Sequence, residues 1–114
     1  MVMILSEDIA KKFLSVYERA KEKIGDEMAT WNKAYQFEVT GLEPFYIEFK
    51  GGEVKVESGK HPSPLATLTM EKDVLMKILD LELDPMVAFM RGMMKISGNV
   101  METVHLRKMF EVLK

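Results

Sequence analysis

DPMVAFMRGMMKISGNVMETVHLRKMF, residues Asp84–Phe110, is the stretch whose reading settles the rest of the chain. Five of the eleven methionines fall between Met86 and Met101, and a sixth is Met109. Asp84 before Pro85 is a helix start: the carboxylate caps free amides, and proline at the first helical position lacks an N–H that would have no partner anyway. Gly92 is predicted to end this short helix. Met93–Ser97 then reads as a strand that carries Lys95 in apolar company. Asn99, with Glu102 three residues on, resembles a capping box and opens a last helix. Leu106, Met109, Phe110 and Leu113 share one face of that helix, with Val100, Met101 and Val104 roughly opposite. A helix lying on one surface needs a single apolar stripe, so two stripes predict two apolar environments. One is the sheet; the other is a ligand cavity, a partner chain or a membrane. Nothing in the stretch has the character of a nucleophile or a metal ligand.

Working outward, Ser6 followed by Glu7-Asp8 is a second helix start, with Ile9, Phe13, Val16, Tyr17, Ala20 and Ile24 forming one apolar stripe. Gly25 is predicted to stop it. Four segments then alternate with period two: Tyr35/Phe37/Val39, Phe45/Ile47/Phe49, Val54/Val56 and Ala66/Leu68/Met70. This is the habit of strands with one buried and one wet face. Gly51-Gly52 is a two-residue hairpin signal, because both turn positions need positive φ. Ser58–Pro64 reads as a loop. From Glu71 the period is helical again, with Val74, Leu75, Ile78, Leu79 and Leu81 on one face. The order is α-β-β-β-β-α-α-β-α, an α+β chain with a five-stranded mixed, mostly antiparallel sheet. The helical connection between the fourth and fifth strands predicts that those two run parallel and the others antiparallel.

At 114 residues there is material for one core, and residues 1–114 read as a single domain. The absence of cysteine excludes disulfides, thiolate catalysis and cysteine-ligated zinc. Net charge is −2 and evenly spread, with no basic stripe to neutralise phosphates, so nucleic acid is not an expected partner. No run is long enough to span a membrane, and Met1–Leu5 passes straight into Ser6-Glu7-Asp8 without a cationic leader. A cytoplasmic protein is expected.

Catalytic constellations are absent from the sequence pattern. His61 lies in a Gly/Pro/Ser loop and His105 in the last helix, neither with a second histidine at ligand spacing. Gly52–Lys60 fails as a phosphate loop on glycine spacing, and His61 stands where Ser or Thr would hold magnesium. Glu43, Glu48, Glu53 and Glu57 read as solvent-facing, and Ser6, Ser15, Ser58, Ser63 and Ser97 have no base nearby in sequence. Neither an enzyme, a cofactor nor a metal is expected. The methionines remain: unbranched and polarisable, they suit either a core or a surface that accepts varied apolar shapes.

Asp84-Pro85, Ala88-Phe89, Arg91-Gly92, Lys95-Ile96, Gly98-Asn99 and Leu106 resemble the terminal signature of the sterol carrier protein type 2 domain. Phe49-Lys50-Gly51-Gly52 and Gly59 are similar to that family as well. The resemblance implies helices covering one face of the sheet and a hydrophobic tunnel between the layers. It also implies non-catalytic binding of fatty acid, fatty acyl-CoA, sterol or phospholipid. By that resemblance Phe89, Met90, Met93, Ile96, Met101 and Val104 would lie near the tunnel, with Phe37, Phe49, Leu68 and Leu79 walling it. The chain departs from eukaryotic members in ending Val112-Leu113-Lys114, without a peroxisomal tripeptide. A dry void on the order of 300 Å³ would cost roughly 7 kcal/mol, comparable to a small domain's whole stability, so a yielding, methionine-filled pocket is expected. The rival reading is an interaction module of a lipid-metabolising enzyme complex, in which Leu106, Met109, Phe110 and Leu113 form a homodimer or docking face.

Overall fold

The computed structural model describes residues 7–113. Helix α1 (Glu7–Met28) is followed by strands β1 (Lys33–Thr40), β2 (Phe45–Lys50), β3 (Glu53–Ser58) and β4 (Ala66–Glu71). Helices α2 (Lys72–Leu79) and α3 (Pro85–Met90), strand β5 (Met94–Gly98), a 3₁₀ turn (Val100–Thr103) and helix α4 (Val104–Glu111) complete the order expected. The predicted cap Ser6 lies outside the described residues. The helix does not stop at Gly25: the backbone leaves helical geometry at Ile24 (φ −133°, ψ 34°) and resumes to Met28. That extra turn is held because Met28 and, just beyond it, Trp31 are fully buried.

The five strands lie in the order β3-β2-β1-β4-β5. Gly51 and Gly52, both at positive φ (58° and 82°), turn β2 into β3 as their sequence requires. Tyr17 of α1 donates its hydroxyl to the Gly52 carbonyl, which ties the helix to this turn. The expected parallel pair is corrected. β4 and β5 are antiparallel, and the parallel pair is β1 with β4. The register shows why: Met70 at the end of β4 faces Met94 at the start of β5, so α2 and α3 together return the chain to the end at which it left. Leu81, in the left-handed region at φ 63°, makes the turn after α2, where the Glu82 amide reaches back to the Lys77 carbonyl at 2.8 Å.

Parallel pairing of β1 with β4 requires the Ser58–Pro64 loop to be a crossover. It passes over the outer face of the sheet and buries Gln36, 4% exposed, which donates to the carbonyls of Phe45 (2.9 Å) and Gly59 (3.1 Å) and accepts from the His61 amide (2.8 Å). One amide side chain thus satisfies the backbone groups beneath and above it. His61 is fixed in turn, with Nδ1 accepting from the Ser63 amide and Nε2 3.2 Å from Glu48.

On the inner face the register aligns Phe45, Phe37, Leu68 and Ile96 as one rung, and Val39, Met70 and Met94 as the next. Helix α1 lies across it, with Phe13 edge-on to Phe37 (5.4 Å) and Phe45 (5.9 Å). Phe49 belongs to a rung at the far end, against Trp31 at 5.3 Å. Glu102 does not complete a capping box. Asn99 makes no side-chain cap, and the Glu102 carboxylate is taken by Lys33 at 2.5 Å, so the last helix opens as a 3₁₀ turn.

Candidate apolar cavity

Leu68, Met70, Met94 and Ile96 from β4 and β5, with Phe37 from β1, floor a cavity of about 250 Å³ on the inner face. Phe13 of α1 and Leu75 and Ile78 of α2 close its back. Pro85, Met86 and Phe89 of α3 form one lip, and Val100, Met101 and Thr103 of the 3₁₀ turn, with Val104, Leu106, Arg107 and Phe110 of α4, form the other. Met101, at 82% exposure, and Val104, Val100, Met86 and Phe89 are exposed as well as lining, so the cavity opens to solvent between α3 and α4.

Local chemistry positions each lip. Asp84 caps α3, its carboxylate accepting from the Met86 amide at 2.7 Å. Gly98 ends β5 at φ 91° against Leu65 and Ala66, so close that a Cβ would stand 2.8 Å from the Leu65 carbonyl oxygen. The 3₁₀ turn is fastened to the sheet by the Tyr35 hydroxyl, which donates to the Glu102 carbonyl at 2.6 Å. Burial drives the Tyr35 phenol far above its ordinary value, so it remains a donor. The Lys33 hydrogen bond, then its charge, holds Glu102 below the usual carboxylate range.

The wall is almost wholly apolar. Thr103 and Arg107 are its polar residues, and the Thr103 hydroxyl is committed to the Val100 carbonyl at 2.6 Å. Among the described residues no group of three or more His, Asp or Glu side chains is placed to hold a metal ion. Among the described residues, such a wall is suited to binding by shape and apolar burial.

Of the residues that the resemblance pointed to, Phe37, Leu68, Phe89, Ile96, Met101 and Val104 line this cavity. Phe49 does not, being two rungs away, and Leu79 is buried in the core while Leu75 and Ile78 face the space. Met90 projects into solvent at 76% exposure, and Met93 packs beside the core just ahead of β5. Met94, paired with Met70, lines the cavity in place of Met93. Period two identifies it: Lys95 points out, so 94 and 96 point in, and 93 cannot share a strand face with 96. Met70, Met86, Phe13 and Arg107 also line the space and were missed; Phe13 and Met70 lie far from the methionine-rich stretch and are brought to it only by the fold, whereas Met86 and Arg107 belong to that stretch. Of the face expected to dimerise or dock, Leu106, Met109 and Phe110 are buried in the chain's own core and Leu113 packs partly buried against it.

An α+β sheet roofed by helices around an open apolar cavity is the architecture of a small lipid-binding domain. The chain belongs to the SCP-2 sterol transfer family, whose sequence profile matches residues 13–111. It is 33% identical over 94 residues to hydroxysteroid dehydrogenase-like protein 2 of Mus musculus, a match covering 78% of this chain and 19% of the mouse protein. The chain therefore spans less than a fifth of that relative. Palmitated SCP2L2 from Aedes aegypti has the same fold, with a TM-score of 0.71 and 18% identity over 93% of this chain and 95% of that one. The same fold occurs within the stereoselective inverting sec-alkylsulfatase of a Pseudomonas species (TM-score 0.65, 18% identity, 76% of this chain and 14% of that one).

Proposed function

We propose that this chain is a cytoplasmic carrier that binds and transfers one apolar ligand without chemically altering it. The ligand is a fatty acid, fatty acyl-CoA, sterol or phospholipid held by its apolar part. The cavity carries this reading: among the described residues its wall is aliphatic, aromatic and methionine side chains with Thr103 and Arg107, open on one side. At about 250 Å³ it lies below the usual 300–1,000 Å³ of small-molecule sites, so the ligand enters by displacing yielding side chains. Met86 and Met101 on the lips are suited to that, since methionine re-packs with little strain. Burying a sixteen-carbon chain would gain about 12 kcal/mol gross, from which ordering and association costs are subtracted, leaving micromolar binding. The Aedes neighbour is a palmitated protein, which is consistent with a single chain in this architecture. Within the longer dehydrogenase-like relatives, such a domain would present lipid to a neighbouring enzyme.

The test is solvent extraction of the purified protein followed by mass spectrometry, together with thermal unfolding on adding hexadecanoic acid or hexadecanol. Recovery of lipid, or a raised midpoint with either compound, is expected. No recovered lipid and an unchanged midpoint with both would overturn the reading.

A further inference from the structure

Strand β3 is one edge of the sheet. Along an antiparallel ladder, hydrogen-bonded pairs alternate with unbonded ones. The Gly59 amide donates to the Pro44 carbonyl at 2.7 Å, so by register Glu57, Lys55 and Glu53 also turn their backbone groups to β2. Val54, Val56 and Ser58 turn theirs outward, where no described residue takes them up. Such a row is a template for a further strand. At the opposite edge α3 packs against β5. Above β3 stands Leu14. Of the exposed large apolar side chains among the described residues, Met86, Phe89, Met90, Val100, Met101 and Val104 belong to α3, the 3₁₀ turn and α4, and Leu14 lies apart from them. It occupies the flank of α1 away from Lys12, which pairs with Asp80 beyond α2, and so overhangs the β3 edge. Phe13 packs on Phe45, the register partner of Ser58, and Tyr17 reaches Gly52. Leu14 therefore sits near the level of Val56.

We propose that β3 pairs antiparallel with β3 of a second copy of this chain, about a two-fold axis at Val56. Charge selects this register. Glu53, Lys55 and Glu57 are all exposed on the outer face of the strand. An axis at Lys55 or at Glu57 sets like charges directly opposite each other, which is destabilising. An axis at Val54 opposes Glu53 to Lys55, but it calls on the Gly52 carbonyl, which already accepts from Tyr17. With the axis at Val56, Val56 bonds its own copy and Val54 bonds Ser58 on both sides. Lys55 of each copy then lies opposite Glu57 of the other. A two-fold axis along the sheet normal keeps both helical layers on one face, so the two Leu14 side chains converge over the axis. The cavity lies towards β4 and β5, so both of its openings stay clear of the contact. Two short strands and two leucines make a small interface, which sets a reversible, concentration-dependent dimer. This inference is independent of the carrier reading.

The experiment is sedimentation equilibrium of the unaltered chain, of Lys55→Glu, of Glu57→Lys, of an equimolar mixture of those two, and of Leu14→Ser. The unaltered chain should rise reversibly from the mass of one copy to that of two and stop there, because the pairing closes on itself. Lys55→Glu and Glu57→Lys each create two like-charged pairs across the axis and should weaken the dimer about tenfold or more. Their mixture restores opposite charges at both pairs and should regain the two-copy mass. Leu14→Ser should weaken association about threefold or more. All three positions are exposed, so unfolding midpoints by circular dichroism should stay close to that of the unaltered chain. A one-copy mass up to about 1 mM, the weak limit of specific association, would overturn the proposal. So would a dimer that none of the three changes weakens, or a mixture of the two charge variants that stays at one copy.

Discussion

Lys33 donates to the Glu102 carboxylate at 2.5 Å while Tyr35 donates to the carbonyl of the same residue at 2.6 Å, so one position fastens the cavity's outer lip twice. The two bonds respond differently to pH. Tyr35 stays protonated because burial raises its phenol, so its bond persists. Glu102 is held below its ordinary value of 4.5, and the stability from that shift is fully present above 4.5. It is lost as pH falls through the depressed folded value. Lys33→Met should bring Glu102 back towards the ordinary carboxylate range in an NMR titration and make the lip less sensitive to acid. An unchanged Glu102 titration would show that Lys33 is not the cause. Tyr35→Phe leaves the Glu102 carbonyl without its donor and should cost about 1–2 kcal/mol in denaturant unfolding. Gly98→Ala should cost more, about 2–4 kcal/mol, because it combines positive φ with a Cβ driven against the Leu65 carbonyl.

At the scale of elements, what could be read in advance was local chemistry. Asp84-Pro85 does cap and open α3, and Gly51-Gly52 does turn a hairpin, because each needs only its own few residues. Replacing Asp84 by Ala should therefore cost about 1 kcal/mol in unfolding, while Asp84→Asn, which retains an acceptor, should cost little. Features decided by distant partners were not legible. Asn99-x-x-Glu102 has the spacing of a capping box, yet Lys33, sixty-nine positions from Glu102, takes the carboxylate instead. The parallel pair was misplaced for a similar reason. Two short helices can either carry a chain to the far end of a sheet or bring it back, and the apolar stripe of each reads the same in both cases. Gln36 occupies a wet-face position of an alternating strand, beside Glu38 and Thr40, so its sequence neighbours show no sign that it would be covered. Its burial beneath the Ser58–Pro64 crossover is what the β1–β4 pairing entails. Of the cavity, the α3 and α4 lips were traceable from the methionine-rich stretch, whereas Phe13, Met70, Leu75 and Ile78 reached it only through folding.

For the molecule as a whole, α4 is where core and cavity meet. Leu106, Met109 and Phe110 close the core over the sheet, Lys108 pairs with Glu27 of α1 at 2.7 Å, and Val104 and Arg107 face the opening. The two apolar faces of this helix thus meet the chain's own core and its cavity, which separates two accounts of Phe110. If it were an interface residue, Phe110→Glu would lower solution mass and leave the fold intact. Phe110 is 4% exposed and lines the cavity, so the substitution places a carboxylate in a wall made largely of apolar side chains such as Phe13, Ile78 and Leu106. Loss of the ring costs about 3–5 kcal/mol before any charge is counted, against a total of about 5–15 kcal/mol for a domain of this kind. The expected result is a sharply lowered denaturation midpoint by circular dichroism, with most of the protein unfolded at 37 °C. Phe110→Leu, which keeps an apolar side chain, should retain the fold with a smaller loss. A Phe110→Glu protein with an unchanged midpoint and a halved mass by light scattering would instead make this face an interface and remove it from the core.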